Sequence, residues 1–259
     1  MQQLGEHLPS PVGRRIEETL SLPWGEVSLE LTVPAGRMTL SEFVPHARSV
    51  STQISRQTVE IFNARGIRVP CRKGCSACCR YLVPLPACEA RCLQCEVDAL
   101  EPGRREAVLE ELATWSAAAG DLPASYQPAQ GTAGRFAQWS HEYSRAGLHC
   151  PLLKGGLCTL YAQRPIACRE HFVITPPQRC ITGEGASPAP TPVSMLEALT
   201  ALETSIERRP IEIVLLPKLH HWWRQDRNRP EPRLRSEVLA AGLVEALRRL
   251  ALRATRQAG

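Results

Sequence analysis

Apolar and polar residues alternate over 24–33, WGEVSLELTV, and this period of two predicts a strand. A small hairpin with RMTL after Gly36 would complete it. Residues 1–22 are polar with scattered Pro and read as a flexible leader. At Thr39-Leu-Ser-Glu42 the pattern changes to a capping box. The helix it opens carries Phe43, Ala47, Val50, Ile54 and Ile61 on one stripe, and Gly66 is placed to end it. Further helical periods follow. One covers 86–101 and begins at Pro86. Another covers 103–119, with Val108, Leu112, Trp115 and Ala119 inward and Gly120 at its end. A third covers 132–146 and stops before Gly147. Residues 121–131 and 173–192 are rich in Pro and Gly and read as loops. Thr191-Pro192 opens a helix to about 208, and IEIVLL (211–216) suits a short buried strand. A long C-terminal helix over 233–256 puts Leu239, Leu243, Leu247 and Leu250 inward, with Arg248, Arg249, Arg253 and Arg256 on a solvated face. Trp222 and Trp223, beside His220 and His221, read as a packing corner.

These elements predict a mainly α protein with small β elements and irregular loops. Its parts would be a leader (1–22), a hairpin and helix (23–66), a cysteine-rich unit (67–185) and a helical region packed on it (186–259). A chain of 259 residues can bury a real core, and 43% hydrophobic with 22% charged residues is a globular composition. Net charge is +5, too weak and too scattered to favour a nucleic-acid surface. The opening MQQLGEHLPSPVGRR has no apolar core of a signal peptide, and no run of eighteen apolar residues would span a membrane. The expected compartment is the cytoplasm.

Cysteine changes this picture. There are eleven, an odd number, which disulfides cannot exhaust. In a reducing compartment such clusters are metal ligands or redox groups. Four fall in CRKGCSACCR: Cys71, Cys75, Cys78 and Cys79. As a helix, this segment would set the first three on one side. As a loop, Gly74 would fold the backbone around the sulfurs. Regular geometry points Cys79 away from Cys78, so it must bend back, serve another metal or stay free. Arg72, Lys73 and Arg80 are placed to favour thiolates. A second region, HCPLLKGGLCTLYAQRPIACREHF (149–172), supplies Cys150, Cys158 and Cys168, with Cys180 beyond. These spacings are too long for a zinc knuckle and suit ligands brought in by separate loops. Gly155-Gly156 permits a tight turn before Cys158, and Arg164-Pro165 bends the chain before Cys168. Soft thiolates select zinc or an iron–sulfur cluster. The two regions are therefore expected to meet, with sulfurs about 4–7 Å apart across them. Arg164 and Arg169 would support the site through carbonyls or carboxylates. His149 and His171 are alternative nitrogen ligands, though a structural or exposed role is the simpler reading.

Cys88, Cys92 and Cys95 fall at i, i+4 and i+7 of the helix after Pro86. They suit either a second metal, with Cys79 as the outside ligand, or an apolar helix face. In both cases Glu89, Arg91, Gln94 and Glu96 fill the opposite side. The C-x3-C-x2-C spacing thus occurs twice. It is also that of radical S-adenosylmethionine enzymes, but those need a many-stranded barrel, and three or four strands are all that the pattern provides.

The cysteine pattern resembles the CxxCxxCC zinc- or iron-chelating family, the YkgJ-like cysteine cluster proteins. The matching residues are Cys71, Gly74, Cys75, Cys78 and Cys79, then Cys150, Pro151, Leu153, Gly156, Cys158, Tyr161, Arg164, Pro165, Cys168 and Arg169. Cys180 falls near the family's eighth cysteine. The resemblance covers about 70–180 and implies chelation of zinc or iron, with no partner protein indicated. Flagellin lysine N-methylases look like distant relatives, which implies an alternative function as an iron–sulfur-dependent S-adenosylmethionine methyltransferase. Cys88, Cys92 and Cys95 have no counterpart in the family pattern.

Overall fold

The computed structural model describes residues 13–128, 132–182, 186–189, 191, 193–226 and 229–258. It is mainly helical, with sheets of two or three strands. Among the described residues no helix is long and apolar enough to cross a membrane.

The chain begins with a hairpin of β1 (Arg14–Leu22) and β2 (Gly25–Val33), paired in antiparallel register. Val27, Leu29, Leu31 and Val33 alternate inward. This corrects two expectations. Residues 14–22 are a strand, because Leu20 and Leu22 bury one face of a segment whose other face is charged. The partner of β2 is β1, whereas β3 (Arg37–Met38) pairs with β9 (Leu234–Arg235) far along the chain. The remainder of the leader, 1–12, lies outside the described residues.

α1 (Leu40–Ala64) starts at the expected box: Thr39 Oγ1 accepts from Glu42 N–H, and Glu42 Oε2 accepts from Thr39 N–H. Phe43, Ala47, Val50 and Ile54 are buried against the hairpin. α9 (Ser236–Ala258) closes this first core with Leu239, Leu243 and Leu247, all fully buried, and crosses α7 (Met195–Glu207). Gly242 permits the close approach, since a Cβ there would come within 2.7 Å of Leu202.

A second core is built by α2 (Ala87–Asp98), α3 (Pro102–Ala118), α8 (Leu219–Asp226) and a small sheet of β4 (Pro84–Pro86), β8 (Ile213–Leu215) and β5 (Ser125–Tyr126). Trp222 and Trp223 are buried in it, as a packing corner would be. The remaining elements are α4 (Thr132–Arg145), β6 (Leu153–Lys154), β7 (Leu157–Cys158), α5 (Ile166–Glu170) and α6 (Pro177–Thr182). The last of these is a helix inside the segment expected to be loop throughout. Among the described residues no sheet exceeds three strands, so the short strands, though nine in number, form no barrel.

α2 lies between the two cores. Cys88 and Cys92 face the first; Ala90, Leu93 and Val97 face the second. A helix covered on both sides has no outer face to spare, so Glu89 and Arg91 are buried rather than solvated as the pattern suggested. Each has a partner. Arg48 Nε–H donates to Glu89 at 3.0 Å and its Nη1 to Glu96 at 2.8 Å. Arg91 lies 2.8 Å from Asp226, 2.9 Å from Glu207 and 3.6 Å from both Glu203 and Glu231.

Around Arg91 carboxylates outnumber guanidinium groups. Burial, with Glu207 adding to it, pushes Glu203 up to about 8. A carboxyl raised in the folded state binds its proton more tightly there than in the unfolded chain. Its contribution is therefore complete at low pH and is lost as pH climbs from about 4.5 to 8, with a slope of up to about 1.4 kcal/mol per unit. Glu203→Gln keeps the acceptor for Cys88 N–H, which now bonds at 2.7 Å. Chemical denaturation at pH 6 and pH 9 should show the variant losing less stability than wild type across that interval. Parallel losses would mean that Glu203 is already ionised.

Candidate metal centre

The first cysteine segment is a run of turns. Cys75 N–H donates to Arg72 C=O at 2.9 Å, closing a turn in which Gly74 has φ +90°. Cys79 N–H donates to Ser76 C=O and Tyr81 N–H to Cys78 C=O, both at 3.0 Å. The loop alternative is therefore the one adopted. Its irregularity removes the difficulty with Cys79, whose thiol lies beside that of Cys78 closely enough to share a hydrogen bond.

The second segment folds as the glycines require. β6 and β7 form a hairpin across Gly155 and Gly156, with φ +55° and +79°, which places Cys158 opposite Leu153. Pro165 begins α5, which carries Cys168, and α6 carries Cys180.

The two segments meet. Cys150 N–H donates to Cys79 C=O at 2.7 Å. The sulfurs act on one another across the junction. Burial raises the Cys168 thiol well above its ordinary range, and Cys150, Cys78 and Cys158 add to the effect. Burial also raises Cys150, to about 12, with Cys158 and Cys78 contributing. On the other side Cys71 is raised by burial and by Cys75, Cys78 and Cys180, and Cys180 by burial, Cys78 and Cys75. Cys78 thus stands between two groups, one with Cys71, Cys75 and Cys180 and one with Cys150, Cys158 and Cys168. Backbone also reaches the sulfurs: Val173 N–H points at Cys71 Sγ from 3.4 Å.

Of the basic residues expected to act on the thiols, Arg164 is the one that acts on both Cys78 and Cys158. Arg164 opposes the rise of Cys78 and Cys158, and its guanidinium sits 4.5 Å from the Tyr161 ring centre, with Lys73 at 5.5 Å from the same ring. Arg80 instead donates to the carbonyl of Ile181, anchoring α6, while Arg72 is exposed. Arg169 donates to the carbonyls of Arg164 and Ala162 and to Thr52 Oγ1 on α1. It holds the loop before Cys168 against the first core. Burial, Arg164 and Arg48 push its pKa down to about 10. The cost of crowding these cations falls when thiolates stand beside them.

Glu89 completes the support. Its Oε1 accepts from Ile166 N–H at 2.9 Å as well as from Arg48, so the first residue of α5 is tied to α2 and α1 together. Sequence reasoning missed Glu89 because it assigned that position to the solvated side of α2. His149 is exposed and bonded to Gly147 C=O, whereas His171 packs edge-on against Tyr81 at 5.3 Å.

Cys88 and Cys92 lie in the apolar core, and Cys95 is exposed at the end of α2. The charges acting most strongly on them are the carboxylates of Glu89, Glu96, Glu203 and Glu231 and the Arg48 guanidinium. All eleven cysteines are free thiols. Among the described residues no three of His, Cys, Asp and Glu converge tightly enough to hold one metal ion. The residues gathered here are eight cysteines from the two regions, a donor set of soft sulfur atoms, with Arg164 acting on Cys78 and Cys158. All eight lie on irregular backbone, in turns or in elements of six residues or fewer.

No family model, curated protein or solved structure matches this chain. The resemblance drawn above rests on the cysteine motif alone.

Arg169→Ala should free the 162–168 segment. Loss of charge-assisted bonds worth about 1.5–3 kcal/mol should speed modification of Cys168 by a disulfide reagent, under anaerobic metal-free conditions, by about tenfold or more. Mass spectrometry of the labelled peptide measures it. An unchanged rate would show that Arg169 does not hold this loop.

Proposed function

We propose that this chain binds zinc or an iron–sulfur cluster through the thiolates of Cys71, Cys75, Cys78, Cys79, Cys150, Cys158, Cys168 and Cys180. The observation that carries the reading is the direct contact of two cysteine regions far apart in sequence, Cys150 N–H donating to Cys79 C=O at 2.7 Å. Buried neutral thiols at such density gain little over apolar side chains. Thiolates shared with a cation gain a great deal, and the binding energy becomes folding energy.

The residues divide the work. Cys71, Cys75 and Cys180 would hold one side and Cys150, Cys158 and Cys168 the other, with Cys78 and Cys79 joining them. Arg164 offsets negative charge, and Arg169 and Glu89 fix the loop and helix that present Cys168. A bound metal would supply a structural cross-link, and a cluster would add electron transfer. We assign Cys88 and Cys92 to packing, since both fill the first core. Free thiols in this number belong in a reducing compartment, which favours the cytoplasm.

Protein purified without oxygen should contain zinc, or iron with acid-labile sulfide and a brown absorption. Cys78→Ser should lower bound metal by about half or more, since one ligand serves both groups. Cys95→Ser, on the exposed end of α2, should leave metal per chain unchanged. Well-folded metal-free protein with every thiol freely titratable would overturn the proposal.

A further inference from the structure

A cleft of about 650 Å³ opens beside the cysteine junction. That is within the range of small-molecule sites, roughly 300–1,000 Å³. Cys78 and Cys168 line it directly. Its walls carry five rings: Tyr81, Phe136, His141, His171 and Phe172. Leu82, Val83 and Leu196 add aliphatic surface.

Polar features are few and directed. α4 turns one face to the cleft, Phe136, Ser140 and Ser144, spaced four residues apart. The other polar groups of the lining include the exposed His141 on α4 and Thr191. His171 contributes its ring, while its Nε2 is withdrawn from solvent. Glu170 is the one carboxylate among the described lining residues, and there is no Lys or Arg. Its oxygens are already taken by Met195 N–H at 2.6 Å and Leu196 N–H at 3.4 Å. Among the described residues the cleft therefore offers rings, hydroxyls and the His141 imidazole, with no Lys or Arg and with its one carboxylate already bonded.

We propose that this cleft binds a small, uncharged aromatic molecule carrying one hydrogen-bonding group for the Ser140, Ser144 or His141 side chain of α4, and that the molecule lies against Cys78 and Cys168. Aromatic walls favour a flat ring through offset and edge-on contacts. An anion would meet no Lys or Arg among the described lining residues and would lie against thiols. The cleft is then the route by which a small molecule reaches the cysteine centre. That last point rests on the metal-binding reading; the binding itself does not.

N-phenyl-1-naphthylamine, a neutral probe of three aromatic rings with one N–H, tests this on the full chain as purified anaerobically. Its fluorescence should rise saturably with one site per chain. The anionic probe 8-anilinonaphthalene-1-sulfonate should bind at least about tenfold more weakly, a difference of about 1.4 kcal/mol. Ser140→Trp, at a half-exposed position of α4, fills the cleft and should weaken the neutral probe by about tenfold or more. If that variant does not fold, Ser144→Trp on the next turn carries the same test. Non-saturable binding, or binding indifferent to the Trp substitution, overturns the proposal. Metal content of the same samples separates the two readings. Metal-free protein that binds the probe and loses it with Trp sinks the metal reading alone; metal-loaded protein without probe binding sinks the cleft alone.

Discussion

A carboxylate withdrawn completely from water must find partners or give up its charge. Glu89 is withdrawn completely and finds two: the guanidinium of Arg48 on α1 and the backbone N–H of Ile166 at the start of α5. Three elements are fixed by one side chain. α5 is five residues long and could not hold its own orientation, yet it presents Cys168 to Cys78 and Cys150. Removing the carboxylate would leave Arg48 with Glu96 alone and free the end of α5, at a cost of about 3 kcal/mol.

The cysteine junction depends on this anchoring because it has little regular structure of its own. Turns at 72–75, 76–79 and 78–81, a hairpin of two-residue strands and two short helices carry six of its thiols, and Cys71 and Cys150 lie on irregular backbone. Arg169 and Arg80 fasten these pieces to carbonyls, and Arg164 supplies positive charge at the sulfurs. The scaffold positions the thiols, and a shared cation would hold them there. The cleft along Cys78 and Cys168 leaves one side of that junction approachable.

Much of this was legible before any coordinates. The Thr39–Glu42 box marked the start of α1, and leucines at four-residue spacing marked α9, because each signal is local and physical. The glycine pair before Cys158 foretold the hairpin for the same reason. The meeting of the cysteine regions followed from ligand chemistry. Other features were not local. Arg14–Leu22 looked like a leader because its charges conceal a half-buried strand whose partner supplies the evidence. Glu89 and Arg91 looked solvated because amphipathic reading assumes a helix with one covered face, while α2 has two. Arg164 was placed among supporting residues, but its action on both Cys78 and Cys158 depends on a loop path that spacing does not determine.

The central claim is that thiolates from both regions share one centre. X-ray absorption at the metal edge of anaerobically purified protein tests it most directly. The account predicts a first shell of sulfur alone, at about 2.3 Å, for zinc or iron. A first shell dominated by nitrogen or oxygen, or a protein without stoichiometric metal, would contradict it.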